Sequence, residues 1–451
     1  MPTEPDSIDE ALKVEIDRLS KDDQFWSLPN NDKREQVRAF FQYPAMMVPS
    51  VQRNLIKSIV DLQPSIKSML DPFVGAGTTI TAGMYKKLDC YGQDINPLAI
   101  LLSRVKTGPF YCQDLLGYVN EVIKQIEKDN SENIDVKFTG IDKWFKKDVS
   151  IELSKIRRSI QKIQLSWARN FMWVTFAEVI RLTSNDRTST YKLHARPQDE
   201  IKKRAISPIA IFNVLIKQNL TDLGIFAAAL VEAGSLQDNK YIGNVEISIG
   251  DTAKSIALPT GQQYEKYGLV VTSPPYGDNG TTITYGQHSY LPLQWIDPND
   301  ISDLMDSSFL QSTAEIDRRS LGGKRSKNLS DQINKLSQES TFLAKVFIDL
   351  ADKPLDRASR VATFYTDFSR ALINIVDVIQ VNAYLIWTVG NRRVGGIEIP
   401  NDKILQEYLE KSHVKFITSA ERTIHQKRMP QRNKITQLMS KERILIFRKT
   451  Q

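Results

Sequence analysis

The 451-residue chain has few of the residues that staple or metallate a fold: two cysteines, Cys90 and Cys112, and four histidines. No Cys-x-x-Cys pair occurs, so neither a disulfide framework nor a structural zinc site is expected, and both thiols should stay reduced. No run of about 18 apolar residues is present, and the opening stretch, MPTEPDSIDEALKVEID, is acidic and polar. Neither a membrane span nor a secretory signal is therefore expected, and the chain reads as cytoplasmic. No internal repeat is visible. With 41% hydrophobic residues, there is ample apolar side chain for one large core carrying insertions.

What is present is a charge bias. Lysine and arginine number 60 against 53 acids, a formal net charge of +7. The first 35 residues hold more acids than bases, so the rest is more basic than the total, and a polyanionic partner is expected.

Hydrophobic periodicity divides the chain into alternating strand and helix blocks. Residues 1–38 read as a polar helical lead-in. Residues 39–107 form half of an α/β domain: a helix with Val51, Leu55, Ile59 and Leu62 on one face, a strand in SIKSML, a glycine turn, a helix from Thr78 to Lys87, and a strand in LDCYGQD ending at Asp94. Residues 108–239 are mostly helical, with Trp167, Phe171, Trp173 and Phe176 read as helix core rather than stacking platforms. Strands return in VEISIGD and YGLVVT within residues 240–297. Residues 298–360 form a second, basic helical insertion, and residues 361–451 supply strands in AYLIWTVG, VKFIT and ERILIFRK. The predicted architecture is α/β: a Rossmann-like, doubly wound, mostly parallel sheet with two largely helical insertions.

Two segments carry chemistry. The first is LDPFVGAGTT, Leu70 to Thr79, with Gly75 and Gly77 in the turn between strand and helix, where a missing side chain lets backbone approach a ligand. A phosphate loop would end in GK[ST], and a dinucleotide fingerprint would have glycine where Ile80 stands; the expected ligand is nucleoside-like and lacks a pyrophosphate. Asp71, at the strand end, is expected to meet a cationic group and Phe73 to supply an apolar wall. Asp94 is placed to accept both hydroxyl hydrogens of a ribose, and Asp251, in Ile249-Gly250-Asp251-Thr252, to contact an adenine ring.

The second segment is the apolar strand that runs into Ser273-Pro274-Pro275-Tyr276. Consecutive prolines have no N–H, so the backbone there offers only carbonyl acceptors. An aromatic amino group offers two donors and a lone pair delocalised into its ring. A serine oxygen and a proline carbonyl accepting its hydrogens would pull the nitrogen towards tetrahedral geometry and localise that lone pair. The ring face of Tyr276, rather than its hydroxyl, would stack on a base swung out of a duplex.

With these two segments the sequence resembles the amino-group DNA methyltransferases, in which DPFxGxGTT binds S-adenosylmethionine and an (Asp/Asn/Ser)-Pro-Pro-Tyr segment is catalytic. The resemblance spans residues 40–107 and 240–450. It implies that Tyr43, Pro44 and Ala45 pack around the methionine end of S-adenosylmethionine. It further implies that Asp71, Phe73, Gly75, Gly77, Thr78 and Thr79 contact the cofactor, that Asp94 holds its ribose, and that Ser273 to Tyr276 take the target base. Serine in the first catalytic position points to the N4 of cytosine. N6-adenine methylation on the same scaffold is the alternative, and a catalytically silent DNA-binding subunit is another. Carbon-5 cytosine methylation needs a nucleophilic cysteine, usually after proline, and neither Cys90 nor Cys112 has that setting. The implied partners are double-stranded DNA and a cognate restriction endonuclease acting on the same site, with a nucleoid-associated place in the cytoplasm. In one departure, the long helical segment lies between the second strand and the Gly-Asp strand, away from the usual place of a target-recognition domain.

Candidate phosphate contacts are Arg318, Arg319, Lys324, Arg325 and Lys327 around Gly322-Gly323, and Lys427, Arg428, Arg432 and Lys434 around Met429-Pro430. Thr281 to Tyr285 and Gln287-His288, just past the catalytic segment, are expected to hold the flipped base.

Overall fold

The computed structural model describes residues 4–21, 37, 40–259, 263–325, 328–423 and 441–451. Seven strands among them pair into one sheet: β1 (Ser68–Asp71), β2 (Asp89–Asp94), β3 (Val245–Ile249), β4 (Tyr267–Thr272), β5 (Ile379–Val389), β6 (Val414–Thr423) and β7 (Lys441–Lys449). Their order is β6-β7-β5-β4-β1-β2-β3. The five from β5 to β3 run parallel, and β7 is antiparallel to both its neighbours. β4 is buried at every residue, which is why it reads as a continuous apolar run. Strand order reverses between β1 and β4, and the crevice beyond their carboxyl ends is where such a sheet binds ligands.

Helices cover both faces. On one, α1 (Pro5–Ser20), α2 (Pro49–Leu62) and α3 (Thr78–Met84) bury Leu12, Leu55 and Ile80 against Met69, Leu269 and Ile386. The polar lead-in is thus a covering helix. Its Asp9, 1% exposed, accepts from Tyr384 Oη at 2.8 Å and from Arg448 Nε and Nη2 at 2.9 Å. On the other face, α12 (Leu355–Asp377) and α13 (Asn401–Lys411) pack Val361, Phe368 and Leu405 on Leu385, Trp387 and Phe447. The apolar face of α12 is continuous from Ala358 to Ile375, so the boundary expected at residue 360 falls inside a helix.

The first insertion folds as α5 (Cys112–Lys128), α6 (Lys147–Gln161), α7 (Ser166–Thr183) and α8 (Pro208–Glu232), which share a core with α4 (Pro97–Lys106) and α9 (Tyr285–Trp295). Phe171, Trp173 and Phe176 of α7 are buried in that core, as expected. By length and composition α8 is apolar enough to cross a membrane, and here Phe212, Ile216, Leu223 and Phe226 bury one face against α5, α6 and α7. The second insertion supplies α10 (Leu329–Glu339) and α11 (Thr341–Asp349).

Candidate active site

The chain leaves β1 at Asp71 and turns through Pro72–Gly77 into α3. Asp71 is fully buried: its Oδ1 accepts from Phe73 N (3.1 Å) and Thr272 Oγ1 (2.7 Å), and its Oδ2 from Thr79 Oγ1. The carboxylate therefore ties β1, β4 and α3 together, with three donors already on its two oxygens where sequence placed it to meet a cationic group. Burial pushes its pKa up to about 6 against these three donors. Thr78 and Thr79 are buried beside it.

Gly77 is packed tightly against α4. At φ 75° a side chain there would lie 2.9 Å from Ser103 Oγ and 3.1 Å from Ser103 Cα, so its bareness serves the packing of the turn on α4. Gly75, at φ 48°, is half-buried, and a Cβ on it would find nothing nearer than the Tyr43 ring at 3.6 Å. Of the two glycines, Gly75 has the less crowded Cα, although its N–H donates to Asp94 and its carbonyl accepts from Ser103 Oγ at 3.0 Å.

Asp94 ends β2 beside this turn. Its Oδ2 accepts from Gly75 N and its Oδ1 from Asn96 N, both at 2.9 Å. Each oxygen keeps acceptor capacity, the residue is half-buried, and burial raises its pKa to about 6. A carboxylate so placed can take the two hydroxyl hydrogens of a ribose, and half-buried Phe73 walls the same space. These residues fit a nucleoside cofactor. Tyr43 is buried, its hydroxyl accepts from Asn96 Nδ2 at 3.0 Å, and its ring stacks on Tyr285 with centroids 5.8 Å apart and planes at 28°. Pro44 is buried, and Ala45 is exposed at φ 49°. Asp251 caps its own turn through Ala253 N (3.1 Å) and pairs with Lys254 at 3.3 Å. Its neighbour Thr252 reaches the glycine turn, donating to Pro72 O at 2.6 Å.

β4 delivers Ser273–Tyr276 to the same edge of the sheet. Ser273, Pro275 and Tyr276 are half-buried, and Pro274 is buried. Ser273 Oγ lies 3.2 Å from Tyr276 Oη, which donates to Glu442 Oε1, also at 3.2 Å. Glu442 Oε2 accepts from Arg422 Nη1 at 3.1 Å. The Tyr276 carbonyl accepts from Asn401 Nδ2 at 3.0 Å, and the same amide donates to Gly390 O at 2.7 Å, pinning the segment to the end of β5. Burial, then the charge of Glu442, pushes the Tyr276 hydroxyl well above its usual pKa. That hydroxyl is engaged on both sides, so the tyrosine is more than a ring face. Tyr285 spans the two halves of the site: it stacks on Tyr43, and its pKa is raised first by burial and then by the charge of Asp94, with Glu442 also contributing.

The loop from Gly277 to Thr284 is held by residues that sequence reasoning missed. Buried Asp278 accepts from Arg360 Nη1 and Arg392 Nη1, each at 3.1 Å, and from Thr281 Oγ1 at 2.6 Å. Gly277 makes room for this clasp, since a Cβ there would fall 2.1 Å from Arg392 Cζ. Asp317 accepts from Asn279 Nδ2 (3.0 Å) and from the N–H groups of Gly286 (2.8 Å) and Gln287 (3.1 Å), closing the start of α9. The arginines stand 82 and 114 residues from Asp278, so no local pattern signals them. Gln287 and His288, expected at the flipped base, are tethers: Gln287 Oε1 accepts from Leu193 N at 3.3 Å, and His288 Nε2 donates to Gln42 O at 2.9 Å. Burial, then Arg181, pushes the His288 pKa down to about 3, which keeps the ring neutral.

Among the candidate DNA contacts, Arg318 and Arg319 both pair with Glu315, and the Arg319 guanidinium covers the Phe309 ring at 4.0 Å. Arg325 pairs with Asp356, and Lys324 is exposed. Lys327, Lys427, Arg428, Arg432 and Lys434 lie outside the described residues. No cluster of His, Cys, Asp and Glu suited to a metal occurs among the described residues. A cavity of about 840 Å³ sits away from the switch point, along the β3 edge, lined by Tyr91, Gln93, Arg104, Trp167 and Lys240.

A doubly wound sheet with a glycine turn, an acid-ended second strand and a Ser-Pro-Pro-Tyr segment converging on its switch point defines an α/β methyltransferase. The chain is 31% identical over 439 residues to the type II methyltransferase M.MvaI of Kocuria varians, covering 93% of this chain and 92% of the relative. It belongs to the type II methyltransferase family. No family model matches the chain. Among solved structures, the rRNA methyltransferase aviRa from Streptomyces viridochromogenes is similar with a TM-score of 0.29 and 9% identity, covering 90% of this chain and 86% of that one, a likeness too slight to bear on the assignment.

Proposed function

We propose that this type II methyltransferase moves a methyl group from S-adenosylmethionine to the N4 of a cytosine turned out of double-stranded DNA. The observation that carries the reading is the placement of Ser273 Oγ and Tyr276 at the end of β4, on the same edge of the sheet as the Asp94–Gly75 turn. Bound S-adenosylmethionine supplies an electrophilic methyl group. The chain does the rest: Asp94, held by the Gly75 N–H, takes the nucleoside end, and Phe73 walls it. Ser273 Oγ and the Pro274 carbonyl accept the hydrogens of the target amino group, and Tyr276 supports the extruded base. Duplex DNA as the partner is supported by the net charge of +7 and by Lys324 and Arg325 on the second insertion. Exposed pairs such as Arg325–Asp356 contribute little to stability, so a phosphate can displace the carboxylate at small cost. A cognate endonuclease that cuts the same site unless it is methylated fits this activity.

The test is methyl transfer from isotope-labelled S-adenosylmethionine to duplex DNA by the purified chain and by Ser273→Ala. Label should enter DNA with the native chain. Ser273→Ala should lose at least about tenfold in rate with cofactor affinity unchanged, because the serine acts mainly in the transition state. A variant as fast as the native chain would remove Ser273 from the site, and a native chain that labels no DNA would remove the reading.

A further inference from the structure

A methylated amino nitrogen carries one hydrogen too many, and the carboxylates of the cofactor turn are not arranged to receive it: Asp71 is sealed behind three donors, and Asp94 serves the nucleoside side. On the catalytic side the hydrogen bonds run in one line, from Ser273 Oγ to Tyr276 Oη at 3.2 Å and on to Glu442 Oε1 at 3.2 Å. Because the Tyr276 hydroxyl donates to the carboxylate, it is the Ser273 hydroxyl that donates to Tyr276, which leaves the serine lone pairs turned towards a substrate donor. Glu442 is 17% exposed, so it has an outlet to water, and Arg422 at 3.1 Å, its partner in the β6–β7 register, fixes the second carboxylate oxygen.

We propose that Ser273, Tyr276 and Glu442 form a proton relay that drains the target nitrogen during methyl transfer, with Glu442 as terminal acceptor. This rests on the proposed function. In the step, the nitrogen lone pair forms the N–C bond while the carbon–sulfur bond of the sulfonium donor breaks, its electron pair remaining on sulfur. The N–H proton passes to Ser273 Oγ, the serine proton to Tyr276 Oη, and the tyrosine proton to Glu442. The products are a neutral methylamino group, a thioether and a protonated carboxyl that loses its proton to solvent. Serine and tyrosine end the step as they began it, with one hydrogen each. Glu442 lies 166 residues from Tyr276, on the far antiparallel strand, and only the β5-β7-β6 edge of the sheet brings it to the site.

Glu442→Gln is the discriminating variant, because its amide oxygen can still accept from the Tyr276 hydroxyl while the group can no longer take up a proton. Single-turnover methyl transfer to duplex DNA should fall by about a hundredfold or more, the lower end of what a general base contributes. Affinity for S-adenosylmethionine by calorimetry, and base extrusion reported by 2-aminopurine beside the target cytosine, should match those of the native chain, because an interaction made only in the transition state lowers the rate alone. Tyr276→Phe cuts the relay at its middle and should show the same loss of rate with the extrusion signal retained, and it decides the matter if Glu442→Gln does not fold. A native rate in either folded variant overturns the relay and leaves Glu442 a mere anchor for the tyrosine. A rate loss matched by an equal loss of extrusion also overturns it, assigning Glu442 to positioning alone. If the native chain itself methylates no DNA, the proposed function fails first and the relay with it.

Discussion

At the scale of single residues, the two glycines of one turn do different work. Gly77→Ala puts a methyl group against the Ser103 backbone at a left-handed φ, and should lower stability by about 1–3 kcal/mol. Gly75→Val, at φ 48°, carries backbone strain as well, but its Cβ would meet nothing nearer than the Tyr43 ring at 3.6 Å, and it should in addition weaken S-adenosylmethionine binding in the protein that folds. Denaturant unfolding and calorimetry on both variants check this, and the opposite pattern would exchange the two roles. Asp94 makes the site pH-dependent. Its folded-state pKa of about 6 lies above the ordinary 3.8, so only above about pH 6 is it the charged acceptor that a ribose needs. Cofactor affinity should therefore fall as pH drops through about 6, and Asp94→Asn should flatten that dependence. The stability sign is the reverse: a raised carboxyl pKa favours the folded, protonated form, so this contribution is full below the unfolded value and is lost as pH rises through about 6. Asp71 shares the stability window without the binding one, because three donors are already on its two oxygens. The positions of Asp94 and Ser273–Tyr276 at strand ends were legible in sequence, the first from its distance past the glycine turn and the second from the apolar run that precedes it. The inward turn of Asp71 was not, since Thr79 and Thr272 saturate it only once β1, β4 and α3 are packed.

Among the elements, those with strong periodicity were legible. β2 and β4, the core helix α7 and the sheet-facing α12 all stand where patterning places them, although α12 crosses an expected boundary. The role of α1 was hidden because its polar residues read as solvated. Asp9 is instead buried against Tyr384 and Arg448, partners 375 and 439 residues away that sequence spacing cannot connect. Asp9→Ala leaves the Arg448 guanidinium buried without its main partner, and should cost about 3 kcal/mol in denaturant unfolding. An unchanged midpoint would mean that α1 contributes nothing to holding β7. The Gly277–Thr284 loop belongs to the same class. Asp278 looks like an ordinary turn aspartate until Arg360 and Arg392 close on it from α12 and from the chain just past β5.

For the whole molecule, the sheet gathers at one switch point what the chain keeps far apart. The glycine turn comes from the first hundred residues, the Ser-Pro-Pro-Tyr segment from the middle, and Glu442 from the last ten. The first insertion touches the loop past the catalytic segment through Thr284 Oγ1 on Tyr191 O at 3.0 Å, and the second through Asp317 on α9. The proposed methylation of the exocyclic N4 of cytosine is read out most directly by nucleoside mass spectrometry of duplex DNA digested after incubation with the purified chain and S-adenosylmethionine. N4-methylcytosine should appear with the native chain and be strongly reduced with Ser273→Ala. N6-methyladenine in its place, or no methylated nucleoside at all, would overturn the assignment of N4-cytosine as the target.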